Sequence, residues 1–175
     1  MRIFLAIFFV FIMAGCGYRP IASISNDVFN DSVFVNVKID KKEPKNSVWI
    51  TDAVKEGMLS RLGLALSNDE NASSRIDVAI NSLEYTSLSY DELGYITAYK
   101  VTLNLGFKTT LKDGSIVEKN TVGEHDFSVS RKIKNTRFAD SVISDAERFE
   151  AIKEASKEAF DEYISYLAII GLKGK

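Results

Sequence analysis

The chain carries a single cysteine, Cys16, and a single histidine, His125. One thiol cannot close a disulfide within the chain or build a cysteine zinc site. One imidazole argues against a His-ligated metal and against a Ser/His/Asp triad. His125 stands between Glu124 and Asp126, three residues that together suggest a proton relay. On a strand, however, neighbours point to opposite faces, so the residue reads as a surface or edge histidine. No glycine-rich phosphate loop is present, because the glycines are scattered. Glu150, Glu154 and Glu158 interleave with Lys153 and Lys157, which describes a solvated helix face rather than a converging carboxylate dyad. These residues point away from an enzyme, and no cofactor or metal is expected.

Two basic groups remain. Arg131, Lys132, Lys134 and Arg137 fall within seven residues that contain no acid. Lys100, Lys108 and Lys112 lie on the outward side of an alternating segment. Lysines on a sheet serve as edge protection and for solubility. A basic cluster beside aromatic residues also suits a phosphate-bearing lipid, through charge on the headgroup and apolar contact with the chains. Nucleic acid is not expected, since 22 basic against 24 acidic residues give a formal net charge of −2.

Cys16 has a chemistry of its own. Arg2 is followed by an unbroken apolar run, Ile3 to Met13, and then by Ala14-Gly15-Cys16. Eleven helical residues span roughly 16 Å, about half a hydrocarbon core. That is the length of a signal-peptide core, not of a membrane span. The junction resembles the bacterial lipobox, with Met13 where Leu is preferred. The resemblance implies cleavage before Cys16 and a diacylglycerol on its thiol. Two or more acyl chains hold a protein stably on a membrane where one does so only marginally. Gly17 stands where inner-membrane retention would call for Asp, which implies the outer membrane.

The elements that position these groups follow from periodicity. Residues 1–15 read as a signal peptide, and 16–32 as a polar lipidated tether. Val33, Val35, Val37 and Ile39 alternate as a first strand. From Ser47 to Leu66 the apolar positions fall at helical spacing, with Trp49 as a core plug near the start. Ile76, Val78 and Ile80 alternate, and a bulge near Asn81-Ser82 brings Leu83 and Tyr85 into phase. Asp91 to Gly94 reads as a hairpin loop. Tyr99 through Leu111 alternates cleanly, Asp113-Gly114 signals a second hairpin, and Ile116 to Arg131 returns as a more polar strand. Ser144 and Glu147 form a capping box before a long apolar stripe, Phe149 to Ile170, which Gly171 is expected to stop. The expected fold over 33–172 is α+β: a two-layer sandwich of two helices on a four-stranded, mostly antiparallel sheet, in the order β-α-β-β-β-α.

Cys16-Gly17-Tyr18-Arg19-Pro20, a strand, the segment Ser47 to Val54, then three strands and a helix resemble the lipopolysaccharide-assembly lipoprotein family, LptE. The element order carries most of this resemblance. It implies a non-catalytic lipoprotein, anchored on the periplasmic side of the outer membrane, that plugs an LptD-type β-barrel and helps to place lipopolysaccharide at the cell surface. It also implies lipopolysaccharide contacts. The loop where relatives tend to be basic is acidic here, Asp91-Glu92, so the contacts expected are Arg131, Lys132, Lys134 and Arg137, with Lys108 and Lys112. The alternative is another α/β outer-membrane lipoprotein, accessory to a periplasmic enzyme or a secretion pore, and a hydrolase stands third.

Overall fold

The computed structural model describes residues 27–30, 32–38, 44–129 and 143–173. Cys16 and the basic loop Arg131 to Arg137 lie outside them. The elements are β1 (Ser32–Val37), α1 (Pro44–Gly57), a π-helical turn (Met58–Leu62), β2 (Ala65–Ser67), β3 (Arg75–Tyr90), β4 (Ile96–Thr110), β5 (Ile116–Ser128) and α2 (Asp145–Lys173). The class is the expected α+β sandwich, but the sheet has five strands in the order β2-β1-β3-β4-β5. It is mixed, with its two long ladders antiparallel as expected and its two short ones parallel. β1 runs parallel to both β2 and β3, and β3, β4 and β5 meander antiparallel.

Ala65 and Leu66, expected to continue the first helix, form the additional strand instead. Leu62 closes the π-helical turn in the core, and Gly63 then takes a left-handed φ of 64° that turns the chain away. The last strand stops at Ser128 rather than Arg131. Gly171 does not end α2, which continues to Lys173. The capping box forms as expected: the Ser144 amide donates to Glu147 Oε2 at 2.8 Å, and the Glu147 amide donates to Ser144 Oγ at 3.3 Å.

β3 and β4 pair from Arg75↔Thr110 to Tyr90↔Ile96, with the ladder shifting at Asn81 where the apolar phase changes. Both hairpins close with the same three-residue loop. Gly94 donates to Asp91 O and Gly114 to Leu111 O, at φ near 82° and 81°. A type I turn followed by a left-handed glycine is the usual three-residue solution, so Asp113-Gly114 marks a hairpin of a longer type than the two-residue turn.

Both helices cover one face of the sheet. Val101, Leu103, Leu105 and Phe107 of β4 meet Ile152, Phe160, Tyr163 and Leu167 of α2, and Ile50, Val54 and Met58 complete the core. Tyr163 is fully buried, its ring stacked on Phe107 with centroids 4.1 Å apart. Its hydroxyl lies 2.6 Å from Thr109 Oγ1, and burial raises its pKa well above the usual tyrosine value. Val28 and Phe29, read from sequence as tether, are buried in this core ahead of β1. Trp49 is half-buried, edge-on to Phe149 at 5.5 Å.

α2 reaches β5 backbone to backbone. A Cβ on Gly123 would sit 1.8 Å from the Ala155 carbonyl oxygen and 2.8 Å from the Ala159 nitrogen. Gly123→Ala should therefore push α2 off the sheet. The expected cost is about 3 kcal/mol, read as a thermal midpoint lowered by roughly 10 °C. A midpoint within a degree or two of wild type would contradict this packing.

Candidate functional site

Among the described residues, no helix covers the second face of the sheet. Its rows come from alternate positions of β1, β3, β4 and β5: Phe34, Asn36, Arg75, Asp77, Asn81, Lys100, Asn104, Lys108, Glu118, Asn120 and Glu124. Two small residues in adjacent strands, Ala79 and Gly106, face each other in register and leave a shallow groove of about 410 Å³. Gly106 is confined by neighbours, since a Cβ there would lie 3.0 Å from Asn120 Oδ1 and 3.2 Å from Asn81 Nδ2.

Much of the charge on this face is compensated locally. Arg75 holds Asp77 through both carboxylate oxygens, Nε to Oδ2 at 2.6 Å and Nη2 to Oδ1 at 2.7 Å. Asn36 Nδ2 donates to the same Oδ1 at 3.0 Å. The Arg75 hydrogen bonds draw the Asp77 pKa below the usual carboxylate range, against an opposing desolvation and with help from Asn36. The Arg75 guanidinium also lies 5.0 Å from the centre of the Phe34 ring. Lys100 donates to Glu124 Oε2 at 2.8 Å, which raises the lysine pKa. Asn81 Nδ2 donates to Asn104 Oδ1 at 3.0 Å and to Asn120 Oδ1 at 3.3 Å, joining three strands.

The sequence-read residues fall differently from expectation. Lys108 is on this open face, but it sits in register between Asp77 and Glu118 and pairs with Glu118 at 3.3 Å. Lys112 is in the β4–β5 turn, lining a cavity of about 280 Å³ with Asp27, Leu111 and Ile170. The two lysines therefore do not form one basic patch. His125 is half-buried on the inward row of the edge strand β5, while Glu124 and Asp126 point outward and are exposed. The three side chains therefore do not share one face of the strand. Among the described residues no group of three His, Cys, Asp or Glu side chains is placed to hold a metal. The Arg75–Asp77 fork and the asparagine bridge were missed from sequence. The spacing Arg75-Ile76-Asp77 puts both charges on one strand face, which was the available signal.

The described residues thus form a two-layer α+β domain with a polar open sheet face. No described helix is long and apolar enough to cross a membrane. The chain belongs to the lipopolysaccharide-assembly family LptE, whose model matches residues 32–167. The fold is similar to that of the rare lipoprotein B from Shewanella oneidensis, with TM-score 0.52 and 19% identity, covering 81% of this chain and 97% of that one. A protein from Caulobacter crescentus gives TM-score 0.54 at 11% identity over 90% and 98% of the two chains. One from Xanthomonas campestris gives 0.52 at 11% over 85% and 89%. At these identities the structural likeness establishes the fold. No curated protein matches.

The Asp77 fork sets a pH dependence. The native state keeps Asp77 ionised to lower pH than the unfolded chain does. Its stabilisation is therefore complete above the ordinary aspartate value of about 3.9 and is lost as pH falls through the lowered native value. Asp77→Asn should lower the thermal midpoint at pH 7, and the gap from wild type should narrow as pH falls below the ordinary aspartate value. A gap that stays constant across this window in parallel melts would remove the ion pair from the account.

Proposed function

We propose that the protein is an outer-membrane lipoprotein, held on the periplasmic side through an acylated Cys16. Its folded domain occupies the lumen of an LptD-type β-barrel during lipopolysaccharide assembly. Its part is non-catalytic: it fills and supports the barrel. Residues 1–15 act as the signal peptide, and a lipidated tether runs from Cys16 towards the buried Val28.

The observation that carries this reading is the open face of the sheet. The lumen of an outer-membrane barrel is polar. A plug for it needs a surface that is hydrophilic and carries little uncompensated charge, because unpaired ions lose solvation in a confined space. Arg75–Asp77, Lys100–Glu124, Lys108–Glu118 and the asparagine bridge satisfy that requirement. Membership of the LptE family supports the same assignment.

The test is purification from membranes in mild detergent. The expected result is a stable complex with a large outer-membrane barrel protein, and an acylated Cys16 as the mature N-terminus by mass spectrometry. Depletion should reduce surface lipopolysaccharide. Recovery as a lone monomer, with unchanged surface lipopolysaccharide on deletion, would overturn the plug. Recovery with a periplasmic enzyme or secretion pore would establish the alternative lipoprotein role.

Lipopolysaccharide contact is assigned to Arg131, Lys132, Lys134 and Arg137 ahead of Lys108, which already has a carboxylate partner. Charge-assisted contacts to lipid phosphates contribute about 1.5–3 kcal/mol each when desolvated, against roughly 0–1 for solvated charges. Replacing Lys134 and Arg137 together with Glu should weaken binding of purified lipopolysaccharide by more than about tenfold. Thermal stability and barrel association should stay unchanged. Equal affinity would leave the loop as solubilising surface.

A further inference from the structure

Among the described residues β5 is the longer of the two edge strands of the sheet and runs for 13 residues. Such an edge presents a row of backbone groups ready to pair with another strand. At its centre the row is occupied from within the domain. The Glu124 amide donates to Glu158 Oε2 at 2.6 Å, and the Val122 amide donates to Glu162 Oε2 at 3.3 Å. Both carboxylates come from exposed positions of α2, one helical turn apart. The spacing fits: residues four apart on a helix are offset by about 6 Å along it, and alternate amides of a strand by about 6.8 Å. Gly123, between the two amides, lets α2 come close enough for both side chains to reach around the edge. Lys119 Nζ, 2.7 Å from Glu162 Oε1, holds that carboxylate with its other oxygen towards the strand.

We propose that Glu158 and Glu162 take the place of a sixth strand, and that they keep β5 from pairing edge to edge with another copy of this chain. These exposed hydrogen bonds replace bonds to water, so their net contribution to folding is small. Their consequence lies in what they exclude. A pairing strand must find unoccupied amides, and here the two central ones are taken by groups that cannot leave the domain. The copies of the chain are the relevant competitors because each exposes the same edge, and pairing there is available to all of them at once.

The acceptor, rather than the charge, is the operative feature, and this separates the proposal from simple repulsion between acidic edges. The test uses the full-length lipoprotein in detergent, as wild type, E158A/E162A and E158Q/E162Q. The glutamines keep a carbonyl acceptor at the same reach and lose the charge. Sedimentation and amide exchange are followed together, with circular dichroism as the check on folding. The Ala pair should self-associate at least tenfold more tightly than wild type. When diluted to monomer, it should exchange the Val122 and Glu124 amides at least tenfold faster. The Gln pair should match wild type in both. An Ala pair that is folded and as monomeric as wild type overturns the proposal, as does a Gln pair that associates like the Ala pair. Should the Ala pair fail to fold, Glu158→Ala alone removes the shorter bond. The same exchange at Glu124 then decides: accelerated exchange supports the cap, and wild-type exchange overturns it.

Discussion

α2 lies against β5 with no side chain between them at Gly123, and the position of every other layer follows from that contact. The Ala155 carbonyl and the Ala159 amide occupy the space a Cβ would fill. With the helix fixed at that depth, Tyr163 slides flat under Phe107 and brings its hydroxyl to Thr109. Phe160, three residues earlier, fills the gap towards α1, where its ring lies against Gly57. A helix held further out would leave the small residues Ala151, Ala155 and Ala159 facing voids, and such voids are expensive in a close-packed core. Small residues on one stripe of α2 and a glycine on β5 are thus two halves of one requirement.

The same seating leaves the two faces of the sheet with different duties. The inner face excludes water; there Thr109 shares its hydrogen bond with Tyr163, while the Thr121 hydroxyl is buried with no hydrogen-bond partner among the described residues. The outer face is wet and polar, with Lys100–Glu124 and Lys108–Glu118 matched between β4 and β5 and Arg75–Asp77 matched along β3. Cross-strand matching constrains the register, because a one-residue slip would put Lys108 and Lys100 on the helix side. The ion pairs contribute modestly to stability. Their larger effect is to present a hydrogen-bonding surface on which much of the charge is compensated.

Much of this was legible in the sequence wherever one residue type repeats with a clear period. Tyr99 to Leu111 keeps its phase without interruption, and the switch at Asn81-Ser82 announced the bulge that the ladder shows. β2 was not legible. Three residues are too few to display a period, and Ala65 and Leu66 stay in helical phase with Leu62, so only Gly63 betrays the turn. β5 looked weak because its inward row includes Lys119, Thr121, Gly123 and His125. That row needs no bulky apolar residue where the helix backbone itself supplies the filling. A glycine inside a strand marks close approach of another backbone, and that clue stood in the sequence unread. Pairing partners such as Glu118 for Lys108 depend on register between strands, which alternation along a single strand does not specify.

The N-terminal segment enters the sheet in a way that bears on mechanical load. Val28 O accepts from Lys112 N and Asn30 N donates to Ser74 Oγ, so the first described residues are fastened at two places before β1 begins. β1 then lies between β2 and β3, parallel to both. A pull on the chain ahead of Asp27, directed along that strand, would shear both ladders with many hydrogen bonds stressed simultaneously. It would not peel them apart one after another, as a pull across the strand would. A load applied at the N-terminal end of the described domain is therefore resisted through the interior of the sheet rather than at an edge.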